Sequence, residues 1–420
     1  MNLFKTASLT AIPTVLSMVA GIITNKIMAI YVGPAGVAFL GQMNNFFNIL
    51  STIANAGIGS GIVKYAAEFK EDKETVEKIV GTSVFLMAIP TLIITLFTSL
   101  FAVQISEFLF KDQSYALYVL IAALIIPITV FNVLCTSLWN AHQEINKLVI
   151  RNIIGTLLSV VLVVLFVIPF GIKGSLIATS LSTLIMFFLL LNPLKTSVWF
   201  SWRILIPKKD SDLLTQLLKF SAMSAASLLM VTCVQFFLRR FIGETLSYTD
   251  AGIWQSMNRI SEMYLLVVTT SLGFYYIPKL SSIKTDFELR NEIFSGYKLV
   301  APTVALSGFL IWFFRDLIIT ILYAPSFASM ESLFACQMIG DFLKICSWLL
   351  GALMISKAMT RYFIATEMIA GVANLVLHIY FIEKFGLIGA PIAYMTLYAL
   401  HLSAMIFIFR KILTARSIQE

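Results

Sequence analysis

Apolar runs long enough to cross a bilayer recur along the whole chain, and no other feature constrains its fold as tightly. A helix rises 1.5 Å per residue, so about 20 apolar residues span the hydrocarbon. Reading the runs between charged or Gly/Pro breaks gives twelve spans. They fall near 6–31, 36–63, 79–103, 114–140, 148–169, 173–193, 215–242, 251–277, 297–318, 330–356, 362–382 and 387–409. Of the 420 residues, 59% are hydrophobic and only 12% charged, about half the charged share of a soluble domain. The expectation is an all-α integral membrane protein. Pro13, Pro90, Pro127 and Pro302 fall inside spans, where neighbouring helices can re-satisfy the backbone groups they free. The first run is too long for the core of a secretory signal and reads as a retained helix.

Lysine and arginine set the orientation, because they accumulate in cytoplasmic loops. Twenty-one of the 30 basic residues lie on one side, among them Lys64, Lys70, Lys147, Lys208, Lys209, Lys284, Lys357, Lys411 and Arg416. The other side holds Lys111, Lys173, Arg315 and Lys384. Both termini are therefore expected in the cytoplasm. The net charge of +8 is a topology signal, with no call for a nucleic-acid partner. Residues 195–214, with Trp199, Phe200 and Trp202 beside Lys208 and Lys209, suit a linker lying on the cytoplasmic interface. The expected organisation is an N-lobe at 1–194, this linker, and a C-lobe at 215–420.

The usual chemical signatures are sparse. Cys135, Cys233, Cys336 and Cys346 sit in apolar runs without paired spacing, and the three histidines show no ligand spacing. No metal site or other cofactor is expected. Asp210-Ser-Asp212 is too short a match to the D-x-D of sugar-nucleotide transferases to carry weight. A glycine-rich nucleotide loop followed by Lys-Ser/Thr is missing, so ATP hydrolysis by that route is excluded. The external connections are too short for a polymerase or ligase site, and no catalytic residues are assigned.

The two halves repeat one another. Pro34-Ala-Gly-Val matches Asp250-Ala-Gly-Ile, and at the same offset Gly57 falls opposite Gly273. Gly171-Ile-Lys-Gly-Ser-Leu-Ile-Ala matches Gly386-Leu-Ile-Gly-Ala-Pro-Ile-Ala at an offset only one position shorter. Six spans per copy is an even number, so the copies share one orientation: two six-helix lobes as parallel repeats, with a central cavity and alternating access expected from that architecture.

Charges inside the spans are the candidate functional residues, because each costs about 2.5–3.5 kcal/mol at a helix centre and must face protein or water. The bases are Lys26, Arg239, Arg240, Arg259 and Lys344; the acids are Glu262, Asp341 and Glu367. Arg259 and Glu262 are i,i+3 neighbours, close enough to pair. Gln337, Asp341 and Lys344 make one polar stripe at i, i+4, i+7. The second span carries Gln42, Asn44, Asn45 and Asn48 at similar depth. A surplus of two positive charges favours an anion such as a lipid diphosphate. Snorkelling to the periplasmic interface is the other reading for Lys26, Arg239 and Arg240. A plain structural pair is the other reading for Arg259–Glu262 and Asp341–Lys344.

Several stretches carry a resemblance. Tyr31-Val-Gly-Pro-Ala-Gly, Gly57-Ile-Gly-Ser-Gly-Ile-Val-Lys-Tyr, Ala251-Gly-Ile-Trp-Gln, Gln337-Met-Ile-Gly-Asp-Phe-Leu-Lys344, Ile355-Ser-Lys-Ala and Arg361-Tyr-Phe-Ile fall in order and at matching spans. On these the chain resembles the polysaccharide flippases of the multidrug/oligosaccharidyl-lipid/polysaccharide (MOP) superfamily, and most the O-antigen and enterobacterial common-antigen (Wzx-type) flippases. The resemblance implies translocation of an undecaprenyl-diphosphate-linked oligosaccharide from the cytoplasmic to the periplasmic leaflet of a bacterial inner membrane. It also implies a cationic cavity, into which Lys26, Arg259 and the Asp341/Lys344 pair would fall by position. Arg259 departs from the family pattern, where a small polar residue stands, while the acid at 262 agrees. That departure puts glycan preference in question at this position.

The expected substrate-binding set is thus Lys26, Arg259 and Lys344 for the diphosphate, with Asn44, Asn45 and Asn48 for sugar. Glu262 and Asp341 are the carboxylates to weigh for H⁺ or Na⁺ coupling or for structural pairing. The expected partners are the lipid-linked oligosaccharide, membrane lipids and other glycan-assembly membrane proteins. The competing function is a cation-coupled multidrug antiporter of the same superfamily, which would use the acids and aromatic rings to hold an organic cation.

Overall fold

The protein is described here by a computed structural model covering residues 3–197, 199–208, 210–357 and 359–414. Lys209 and Arg416, counted above with the basic side, lie outside the described residues. Among those residues every regular element is helical. In the first half these are α1 (Leu3–Tyr31), α2 (Gly33–Ala54), α3 (Gly59–Glu68), α4 (Lys73–Leu100), α5 (Ala102–Phe110), α6 (Ala116–Ala141) and α7 (Ile145–Lys195). The second half has α8 (Ser211–Thr245), α9 (Tyr248–Ser282), α10 (Asp286–Phe313), α11 (Arg315–Leu322), α12 (Phe334–Ser356), α13 (Thr360–Phe385), α14 (Gly389–Ile408) and α15 (Arg410–Leu413). Among the described residues, seven stretches are long and apolar enough to cross a membrane, or nine if each of two bent pairs is one span.

Two of those stretches are far longer than a bilayer. The 51 residues of α7 would measure roughly 75 Å if straight, against about 30 Å of hydrocarbon. The helix breaks at Gly171 (φ 55°, ψ −127°), a conformation that a side chain makes costly. The α13–α14 stretch breaks likewise at Gly386 (φ 64°, ψ −146°). Three positions beyond each break a second glycine lets the chain pack back on itself. A Cβ at Gly174 would lie 1.8 Å from the Phe166 carbonyl oxygen, and one at Gly389 2.0 Å from that of Phe381.

Gly171 and Gly386 are equivalent positions of the sequence repeat, and the other boundaries keep nearly the same offset. Helix α6 ends at Ala141 and α12 at Ser356; α7 begins at Ile145 and α13 at Thr360. The α2–α3 bend of 42° falls between Ala54 and Gly59, and a 41° bend in α9 falls at the equivalent place, between Thr270 and Tyr275. The starts of α4 and α10 are capped alike: Asp72 accepts from the amides of Glu74 and Thr75, and the Thr285 hydroxyl accepts from that of Glu288. The duplication is therefore structural as well as sequential.

The chain divides into two compact units, one of residues 1–32 and 39–236, the other of residues 33–38 and 237–420. In the first, Ile58, Ile62, Val80, Ile126, Leu134 and Leu138 pack as one buried cluster. In the second, Leu280, Leu289, Ile293, Leu349 and Leu353 do the same. Large apolar side chains also point outward, with Leu100 77%, Leu299 72% and Ile369 69% exposed. A surface of that kind suits lipid rather than water. With lipid outside, helices associate by close packing more than by the hydrophobic effect, which favours small residues at contacts. In the second unit Gly252 does this, its Cα facing the Pro34 carbonyl so closely that a Cβ would sit 1.8 Å from the oxygen.

The linker is docked on the first unit at two places. Glu144, which precedes α7, accepts hydrogen bonds from the Ser197 hydroxyl at 2.7 Å and the Trp199 indole at 2.9 Å, and pairs with Lys147 at 2.6 Å. Further on, the Lys208 amide donates to the Gly81 carbonyl at 3.1 Å and its ammonium reaches Glu77 at 3.0 Å.

Candidate functional site

The polar stripe of α12 is the centre of a built cluster in the second unit. Asp341 is fully buried. Its two carboxylate oxygens each accept a tyrosine hydroxyl, from Tyr264 of α9 at 2.9 Å and Tyr394 of α14 at 2.8 Å. One turn away, the Gln337 amide donates to the Ser261 hydroxyl at 3.0 Å. Lys344 lies along the rings of Tyr394 and Tyr398, its ammonium 5.6 and 5.4 Å from their centroids, a cation–π arrangement. Gly340 makes this geometry possible. A Cβ there would come within 2.4 Å of the Tyr394 ring, so only glycine admits the tyrosine that caps the neighbouring aspartate.

Around this cluster several of the candidate intramembrane charges are electrostatic neighbours. Lys344 feels Glu262 as well as Asp341, and Glu367 feels Lys344. Arg239 is buried, 4% exposed, and feels Glu262. Arg259 and Glu262 are both exposed, and Arg259 acts on Tyr323, whose hydroxyl donates to the Ser256 carbonyl at 3.0 Å. Arg240 instead pairs with Glu244 at 2.9 Å. Lys344 and Arg239 thus share Glu262 as an acidic neighbour, and Lys344 has Asp341 and Glu367 besides.

The first unit places its candidates differently. Lys26 is half-buried on α1. Asn44 and Asn48, one turn apart on α2, line a cavity of about 170 Å³ with Thr129 of α6 and Thr179, Ser180 and Thr183 of α7. Among the described residues that line it, none is charged. Asn45 lies elsewhere, buried at 9% exposure with its amide nitrogen unpartnered.

The repeat relates the two sites position by position. At the offset that carries Gly171 to Gly386, Thr129 corresponds to Lys344, Ile126 to Asp341, Ile125 to Gly340, Thr179 to Tyr394 and Thr183 to Tyr398. At the offset that carries Pro34 to Asp250, Asn48 corresponds to Tyr264. One location in the duplicated fold is therefore charged and filled by tyrosine rings in the second unit, and neutral and open in the first. Sequence reading missed the three tyrosines and the threonines. The signal that could have found them is the offset itself, applied to the polar stripe of α12.

Among the described residues no group of three His, Cys, Asp or Glu is placed to hold a metal ion. The four cysteines are free, Cys135 and Cys346 buried.

A family model described as polysaccharide biosynthesis protein matches residues 3–284, and the chain belongs to that family. It is 29% identical over 405 residues to the lipid III flippases of Escherichia coli (strain K12) and Shigella flexneri, covering 96% of this chain and 97% of theirs. Among solved structures it superposes on an inward-facing multidrug resistance MATE family transporter of the MOP superfamily with a TM-score of 0.79. The identity there is 16%, with 98% of this chain and 100% of the other covered. An outward-facing transporter of the same kind gives a TM-score of 0.69 at 18% identity, covering 98% and 96%. At that identity the likeness is one of fold. The protein is a multi-pass membrane protein of the polysaccharide biosynthesis family, and every regular element among the described residues is helical.

Proposed function

We propose that the protein is a flippase that moves an undecaprenyl-diphosphate-linked oligosaccharide from the cytoplasmic to the periplasmic leaflet of a bacterial inner membrane by alternating access. The observation that carries this reading is similarity to lipid III flippases along nearly the whole chain, 405 residues with both ends covered. Twelve spans with both termini cytoplasmic complete the reading. The breaks at Gly171 and Gly386 support it, since each divides one over-long stretch into two membrane-length helices. So does the bend in each of the two pairs.

In this reading Arg259 is the exposed cation that meets the diphosphate, with Lys26 contributing from the first unit. Lys344 answers to the substrate only when Asp341 or Glu262 is neutralised, because both carboxylates act on it. Those carboxylates are accordingly where an H⁺ or Na⁺ would act. No other cofactor is needed. The O-antigen and common-antigen repeat units are the glycans of choice, and other glycan-assembly membrane proteins are the natural partners.

A multidrug antiporter would place an organic cation against an acid and aromatic rings. Here that niche already holds an internal cation, Lys344 over Tyr394 and Tyr398, which disfavours the antiporter. The test is ligand binding to purified protein by native mass spectrometry, comparing undecaprenyl diphosphate carrying short glycans with lipophilic cations. The flippase reading expects the lipid diphosphate to be preferred and Arg259→Ala to weaken it about tenfold, the loss of one charge-assisted hydrogen bond. Preference for cations, unaffected by Arg259→Ala, would overturn it in favour of the antiporter.

A further inference from the structure

We infer that the α2/α6/α7 cavity of the first unit is a subsite for one neutral sugar ring of the lipid-linked glycan, separate from the charged residues that answer to its diphosphate. The inference rests on the flippase reading and names what this part of the protein recognises.

The argument is one of hydrogen-bonding valence. Thr129, Thr179 and Thr183 each donate their hydroxyl proton to a carbonyl of their own helix, of Ile125 at 3.2 Å, Ser175 at 2.9 Å and Thr179 at 3.2 Å. A threonine so committed offers only oxygen lone pairs to a ligand. Asn44 and Asn48 stand exposed at the same cavity, each with both a carbonyl and an amide group. The lining is therefore rich in acceptors, with the asparagine amides and the Ser51 and Ser180 hydroxyls as its donors and no charge among the described lining residues. Phosphate needs donors and cations and finds neither in number. An organic cation needs a carboxylate and finds none among the described lining residues. Sugar hydroxyls both donate and accept, and satisfy such a wall.

Shape agrees with chemistry. The cavity of about 170 Å³ is comparable to the ~150 Å³ cavity that accepts a benzene ring, room for one pyranose ring. Met43, Phe47 and Ile125 supply apolar wall for the ring's C–H face. The space exists because Thr179 and Thr183 stand where the second unit has Tyr394 and Tyr398, whose rings occupy the corresponding position.

The test transplants that filling into the full-length protein. Affinity of undecaprenyl diphosphate bearing a neutral disaccharide is compared with that of bare undecaprenyl diphosphate, for wild type, Thr179→Tyr/Thr183→Tyr and the milder Thr179→Val/Thr183→Val. Each neutral hydrogen bond is worth about two- to tenfold in binding. Wild type is expected to bind the glycolipid at least tenfold tighter than the bare lipid. That ratio is expected to collapse toward one in the tyrosine variant and to fall severalfold in the valine variant. Protection of protein thiols against a reactive dye during heating shows that each variant folds. A wild-type ratio of one, or a ratio unchanged in both variants, overturns the inference and leaves the flippase reading standing. Failure of wild type to bind either lipid overturns the flippase reading, and the inference with it.

Discussion

Replacing Asp341 and Lys344, singly and together, tests the claim that the charges of the second unit are held against one another. Residues at i,i+3 on a helix have Cβ atoms about 5–6 Å apart. At about 6 Å and an effective dielectric of about 20 their attraction amounts to ~3 kcal/mol. Asp341→Asn keeps the volume and one acceptor for Tyr264 or Tyr394 but removes the charge, leaving Lys344 without its nearest counter-charge. Lys344→Met keeps an apolar stem on the tyrosine rings and leaves Asp341 with its two hydroxyl donors. Each single change is expected to cost about 3 kcal/mol, and the double change to cost less than the sum by a similar amount. For a unit of this size that corresponds to roughly 6–12 °C in midpoint for each single variant. The buried thiols of Cys135 and Cys346 provide the assay, since they react with a fluorogenic dye only when the fold opens. Wild-type stability of Asp341→Asn, or strictly additive losses in the double variant, would refute the reasoning, because the pair would then be neutral or uncoupled.

Three further outcomes follow from particular contacts. Gly174→Ala and Gly389→Ala should each destabilise by more than about 2 kcal/mol, because the added methyl meets a carbonyl oxygen within 2.0 Å; the same thermal assay reads this. Glu144→Ala removes the acceptor shared by Ser197 and Trp199, so trypsin should cut at Arg203 at least tenfold faster than in wild type, an unchanged rate meaning that the contacts at Gly81 and Glu77 suffice. The Asp72 carboxyl is held below its usual range by the Thr75 hydroxyl and the amides it caps. A depressed pKa stabilises above the unfolded value of about 3.9 and is lost as pH falls through the lower folded value. Protection of the first-turn amides of α4, taken relative to their intrinsic exchange rate at each pH, should therefore hold at pH 7 and fall below about pH 4.

Some of this was legible in the sequence and some was not, for physical reasons that differ by residue. Gly171 and Gly386 could be read because a left-handed break between apolar runs leaves a local signature. The stripe Gln337, Asp341, Lys344 could be read because helical periodicity is local too. Asn45 could have been separated from Asn44 and Asn48 on the same ground, since it lies about 100° around the helix from its neighbour. Arg239 and Arg240 look alike in the sequence, yet one is buried near Glu262 and the other pairs with Glu244. Only the first helical turn of that difference is local. Tyr264, Tyr394 and Tyr398 carry no such mark, because a tyrosine in an apolar helix is ordinary, and the partner that Tyr264 and Tyr394 share, Asp341, lies on a different helix from either.

The substitution of threonines for tyrosines between the copies also bears on why both halves share one polypeptide. A homodimer of the first half would present two uncharged recesses and lack the Asp341–Lys344 centre altogether. A homodimer of the second half would have two such centres, with tyrosines at the positions where the first half is open. Because those positions differ between the copies, a single chain gives each molecule one neutral recess and one charged centre.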